Sequence, residues 1–165
     1  MKTLYVVRHA KSDWANADIL NDIDRPLNKR GVQNAYEMAA RLKAKSILPD
    51  FLISSNGIRA LHTAVIFAHQ IGFDTQKIVI KPSLYHAPVE NIVSEIKNID
   101  SGINKLMIFS HNPGLSDFVS FLNKKAYLTL ATCAIFTVAL DIKSWEDFSF
   151  ENAKVLDYDF PKNLK

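Results

Sequence analysis

Four apolar residues, Leu4-Tyr5-Val6-Val7, run straight into Arg8-His9 and then into small and polar residues. A short, wholly apolar run of this kind suits a strand covered on both faces, the usual state of a central strand in a parallel sheet. In open α/β sheets ligands bind in the crevice beyond the carboxyl ends of such strands, so Arg8 and His9 are placed at the floor of a site. Two further runs stop in the same way, Phe51-Leu52-Ile53 at Ser54-Ser55 and Leu106-Met107-Ile108-Phe109 at Ser110-His111. Three strand ends of this type converge on one pocket.

The stretches between them carry helical periodicity. Asn28 offers an N-cap, and Val32, Ala35, Tyr36, Ala39 and Leu42 predict an amphipathic helix from about Lys29 to Lys45. Asn56 and Gly57 open a second helix along Ile58 to Ile71, which Gly72 closes; Arg59 falls in its first turn, beside the positive end of the helix dipole. Ile92, Val93, Ile96 and Ile99 predict a third helix. A fourth follows His111, with Asn112 as cap, Pro113 in the first position and Phe118, Phe121 and Leu122 on its core face. The polar stretch Ser12 to Leu27, with Asn21-Asp22-Ile23-Asp24-Arg25-Pro26, has turn chemistry and reads as a loop over the pocket. Lys77 to Lys81 is a short strand whose exit, Ser83 to Pro88, faces the pocket, and Ala134 to Leu140 and Val155 to Phe160 are strands that can pair at an edge. The expected fold is therefore a three-layer α/β/α sandwich around a mostly parallel central sheet, with the edge strand open to antiparallel pairing. One domain over residues 1–165 accounts for it.

Composition removes several classes of function. No segment reaches the roughly 18 consecutive apolar residues of a membrane-spanning helix, and Arg8 interrupts the N-terminal apolar run too early for a signal peptide. A cytoplasmic protein without membrane contact is expected. The single cysteine, Cys133, excludes an internal disulfide and a multi-cysteine zinc site, and reads as a buried packing residue. A net charge of +3, dispersed along the chain, is not the footprint of a nucleic-acid binder but suits an anionic ligand. His62 and His69, seven apart on one helix without a carboxylate cluster, read as structural, so no metal or other cofactor is expected.

The polar residues at the strand ends are Arg8, His9, Ser12, Arg59 and His111. Arginine presents a planar fork that matches phosphate oxygens, and two arginines from different elements can clamp a phosphoryl group in transfer. A neutral imidazole attacks phosphorus near neutral pH, and a covalent intermediate divides one difficult displacement into two easier ones. One histidine would attack and the other would donate to the oxygens.

Three segments, Val7 to Trp14, Ser54 to Ala60 and Ser110 to Gly114, resemble the signature segments of the histidine phosphatase superfamily, and most closely those of its small single-domain phosphohistidine phosphatase branch. The turn from Arg25-Pro26-Leu27 to Gly31, the stretch Leu84-Tyr85-His86-Ala87 and the closing Phe160-Pro161-Lys162 extend the resemblance over essentially the whole chain. It implies that His9 is the phosphorylated nucleophile, that Arg8 and Arg59 clamp the phosphate with Ser12 beside them, and that His111 is the second histidine. Ala10 stands where the better-known motif of the superfamily has glycine, as in the phosphohistidine phosphatase branch, and Ala15 stands where mutase-like members have an asparagine. No glutamate clearly matches the acid that protonates alcohol leaving groups; Glu90 and His86 are the candidates. A phosphoramidate leaves more readily than an alkoxide, so a weak acid favours N–P cleavage. The substrate expected on these grounds is a phosphorylated protein bearing phosphohistidine, or a similarly labile phosphoramidate. The alternatives are a small-molecule phosphomonoesterase and a phosphate-binding module without turnover.

Overall fold

Side chains along the first strand alternate between two cores. In the computed structural model, which describes residues 1–164, β1 (Lys2–Arg8) sends Leu4 and Val6 to one face of the sheet and Tyr5 and Val7 to the other. The period-2 geometry of a strand requires this alternation, and helices on both sides make both faces apolar. On one side α1 (Lys29–Ala44) and α2 (Ile58–Ile71) bring Met38, Leu42 and Phe67 against Val7, Leu52 and Phe109. On the other, α3 (Val89–Lys97) and α4 (Gly114–Asn123) bring Ile92, Ile96, Phe118 and Leu122 against Leu4, Val6, Ile108 and Val138. Each large apolar side chain taken fully out of water contributes about 2 kcal/mol.

The sheet also contains β2 (Phe51–Ser54), β3 (Val79–Ile80), β4 (Lys105–Ser110), β5 (Ile135–Leu140) and β6 (Ala153–Asp159), in the order β3-β2-β4-β1-β5-β6. Strands β1 to β4 are mutually parallel; β5 runs antiparallel to β1, and β6 antiparallel to β5 at the edge. The expected three-layer sandwich is present, with the reversed strand one position in from the edge.

Register aligns the three polar strand ends. Arg8 is paired with Ser110 and Ser54 with Phe109, while the His9 N–H donates to the Ser110 carbonyl and the Ser55 N–H to that of Phe109. Local sequence signals set the helix ends nearby. Asn28 caps α1 by accepting from the Gly31 N–H, and Gly72 ends α2 at φ +82°. At α4 the cap differs from expectation: Pro113 is the N-cap residue, and the Asn112 amide instead donates to the Leu130 carbonyl at 3.1 Å. Gly114 follows, where a Cβ would lie 1.8 Å from the Ala87 carbonyl oxygen, so α4 and the loop after β3 touch through backbone. Phe121, read as core, is 58% exposed and meets Phe150 at the surface. Cys133 is buried as expected. Among the described residues no helix is long and apolar enough to cross a membrane.

Candidate active site

His9 follows the last residue of β1, and its backbone is held on both sides: its N–H bonds Ser110, and its carbonyl accepts from the Cys133 N–H. Its ring is fixed as well. Nδ1 lies 2.7 Å from the Ala10 carbonyl, which accepts but cannot donate, so Nδ1 carries the proton and Nε2 keeps a lone pair. Arg59 Nε donates toward that lone pair at 3.4 Å. Burial lowers the His9 pKa to about 3, with the charges of Arg59, Arg8 and Arg25 adding to it and the Ala10 carbonyl opposing. The imidazole is therefore neutral at physiological pH, the form able to attack phosphorus.

His111 sits between β4 and α4 with its ring 5.3 Å from that of His9. Its Nε2 is 2.7 Å from Ser55 Oγ, which also accepts from the Gly57 N–H. In the tautomer in which that hydroxyl donates to Nε2, Nδ1 carries the ring proton. Burial, followed by electrostatic coupling to His9, Arg59 and His86, lowers the His111 pKa to about 2, against Asp22. Gly57 makes the close approach possible, since a Cβ there would come within 2.8 Å of the imidazole Cε1.

The two arginines differ in how they are engaged. Arg8 Nη1 donates to the Leu130 carbonyl, while its buried Nε has no partner among the described residues. His111 Nδ1 is in the same condition. Burial and then the charge of Arg59 disfavour the Arg8 cation, a repulsion that a bound dianion would reverse. Arg59 is 2% exposed and spends its Nη1 and Nη2 on the backbone carbonyl and carboxylate of Asp22, at 2.7 and 3.0 Å. With the His111 proton on Nδ1, two buried donors without acceptors beside a neutral imidazole form a seat for a tetrahedral oxyanion, because each unpaired buried donor costs about 1–3 kcal/mol until an acceptor arrives.

Of the residues singled out from sequence, the structure brings His9, Arg59 and His111 into one cluster with Arg8 beside them. Ser12 is buried next to it, its hydroxyl accepting from Arg25 Nη1 at 2.7 Å. His86 stands at the rim, its ring 5.3 Å from His111 and its Nε2 2.9 Å from Asp22. Glu90 is exposed in the first turn of α3 and makes no hydrogen bond or ion pair with the cluster. The sequence reading assigned no role to Asp22, Arg25, Ser55 or Tyr85. Asp22 accepts from Arg25, Arg59, Tyr85 and His86, and Arg25, 4% exposed, lies 3.6 Å above the Trp14 ring. Partial burial pushes the Asp22 carboxyl up, but the hydrogen bonds from Tyr85, His86 and Arg59 outweigh it and hold it well below the ordinary carboxylate range. Surface grooves of about 650 and 770 Å³ lie elsewhere, the first against Arg30 and Lys162 and the second against Phe121 and Tyr127.

Comparison with known proteins bears on the family and the fold. The profile of the histidine phosphatase superfamily (branch 1) matches residues 4–86. An uncharacterised chloroplastic protein of Arabidopsis thaliana is 30% identical over 156 residues, covering 88% of this chain and 70% of that protein. The protein histidine phosphatase SixA, solved with tungstate, superposes with a TM-score of 0.84 over 99% of both chains at 22% identity. A mycobacterial glucosyl-3-phosphoglycerate phosphatase, solved with VO3, superposes with a TM-score of 0.66 at 14% identity, over 94% of this chain and 97% of that one.

Proposed function

For a chain that belongs to the histidine phosphatase superfamily, we propose a phosphatase that passes the phosphoryl group to His9 Nε2 and then to water, acting on phosphohistidine in a protein or on a similarly labile phosphoramidate. One observation carries the reading: the His9 ring is locked with Nδ1–H on the Ala10 carbonyl, leaving Nε2 unprotonated beside Arg59. The group attacks as a neutral imidazole. Arg8 and Arg59 take the charge on the equatorial oxygens, His111 Nδ1–H adds a neutral donor, and Ser12 supplies a hydroxyl at the edge of the clamp. This role requires the His111 tautomer in which the Ser55 hydroxyl donates to Nε2.

The choice of an N–P bond rests on the acid. Glu90 is exposed and makes no hydrogen bond or ion pair with the cluster, and among the described residues the carboxylate bonded to it is that of Asp22, held ionised by hydrogen bonds from Tyr85, His86 and Arg59. His86 is the one candidate at the rim, and its contact with Asp22 favours the second reading, a small-molecule phosphomonoesterase in which His86 protonates the leaving oxygen. Steady-state comparison of a phosphohistidine peptide with a sugar phosphate separates the two. General acid catalysis contributes on the order of 10² to 10⁴, so kcat/KM is expected to favour the phosphohistidine peptide by at least about 100-fold. Equal or better hydrolysis of the sugar phosphate, lost on His86→Ala, would support the second reading.

A further inference from the structure

Resting on the phosphate reading above, we infer that Asp22 is a positioning residue for the clamp: it grips the far end of the Arg59 guanidinium and turns the near side toward the His9 nitrogen.

A guanidinium has two edges that can hold an oxyanion in bidentate fashion, one formed by Nη1 and Nη2 and one by Nε and Nη2. Asp22 occupies the first with its backbone carbonyl on Nη1 at 2.7 Å and its carboxylate on Nη2 at 3.0 Å. The second edge is the one whose Nε points at His9 Nε2, 3.4 Å away. Asp22 thus leaves open the edge where phosphorus is attacked. A carboxylate competing with the substrate would sit on the other side, against Nε.

Asp22 is itself held from three directions. Arg25 Nε and Nη2 both reach Oδ1 at 3.1 Å, while His86 Nε2, at 2.9 Å, and the Tyr85 hydroxyl donate to Oδ2. Arg25 Nη1 continues to Ser12 Oγ at 2.7 Å. The contacts close a circuit, from Ser12 beyond the end of β1 through Arg25 and Asp22 to Arg59 and back to His9. Arg59 is a long side chain, and aiming it before substrate arrives removes part of its ordering cost from binding. The 3-10 turn Asp22–Asp24, which has no buried residues, is kept in place by these polar contacts rather than by packing.

The test is a double-mutant cycle read by calorimetric binding of inorganic phosphate to the full chain, with wild type, Asp22→Asn, Arg59→Ala and the double variant, each checked for an unchanged melting transition. Phosphate affinity is expected to fall roughly tenfold in Asp22→Asn and to change less than about twofold when the same substitution is made on Arg59→Ala. Asp22→Ser repeats the cycle without the new donor that asparagine introduces. Tighter binding in Asp22→Asn would overturn the proposal by making the carboxylate a competitor of the substrate. Unchanged binding, or an equal loss with and without Arg59, would also overturn it, since Asp22 would then not act through that guanidinium. A wild-type protein that binds no phosphate would remove the oxyanion seat itself, a failure visible before any variant is compared.

Discussion

In the His9→Ala protein, turnover of a phosphohistidine peptide is expected to fall by at least about five orders of magnitude while the fold is retained, because removal of a covalent nucleophile leaves only binding and charge stabilisation. The ring does little for the fold. Its contacts include the Ala10 carbonyl, Arg59 Nε and the tilted ring of His111, and it is held neutral among three guanidiniums by burial. The small cavity left behind costs on the order of 1–3 kcal/mol, against a typical domain stability of about 5–15 kcal/mol. Initial rates at saturating substrate, with melting curves of both proteins, check this. Activity within tenfold of wild type would transfer the nucleophile's role to another group.

Arg59→Lys is expected to be the next most damaging change, lowering kcat/KM by two to three orders of magnitude, about 3–4 kcal/mol of transition-state stabilisation. The substitution keeps a positive charge and discards the fork. Lysine has one nitrogen for three tasks that arginine divides among Nε, Nη1 and Nη2: facing His9, and holding the carbonyl and the carboxylate of Asp22. An ammonium held by Asp22 no longer reaches the phosphoryl oxygens, and one turned toward them releases the turn. If net charge alone mattered, the lysine variant would stay within about tenfold of wild type, so steady-state kinetics distinguishes the two accounts.

The parts of this arrangement that were legible in the sequence are those with a local signature. An apolar run stopped by Arg8-His9, and the matching stops at Ser54-Ser55 and Ser110-His111, carry both the parallel sheet and the edge at which the site forms. Asn28 and Gly72 mark helix ends because capping and the left-handed region are properties of single residues. Asp22 and Arg25 had no such signal. They lie in a polar stretch without periodicity, and the partners of Asp22 at Arg59, Tyr85 and His86 are 37, 63 and 64 positions away. The density of turn residues between Ser12 and Leu27 announced a loop over the site; which of its charges would turn inward depended on where α2 and the loop after β3 placed their donors. Asn112 failed as a cap for a related reason, since the Leu130 carbonyl, 18 residues on, takes its amide. The direction of β5 was equally hidden: with all six residues from Ile135 to Leu140 buried, the run looks the same in a parallel or an antiparallel pairing.

The central claim is that the phosphoryl group passes through His9, and the most direct measurement is to trap it there. The protein is mixed with a phosphoramidate, quenched within milliseconds by denaturation, digested under mildly alkaline conditions that preserve phosphohistidine, and the peptides are weighed by mass spectrometry. One added phosphoryl group on the peptide containing His9, absent from the His9→Ala protein, is the predicted result. Turnover without that adduct, or phosphate bound with neither turnover nor adduct, would contradict it, the first pointing to another nucleophile or to water and the second to a module that only binds phosphate.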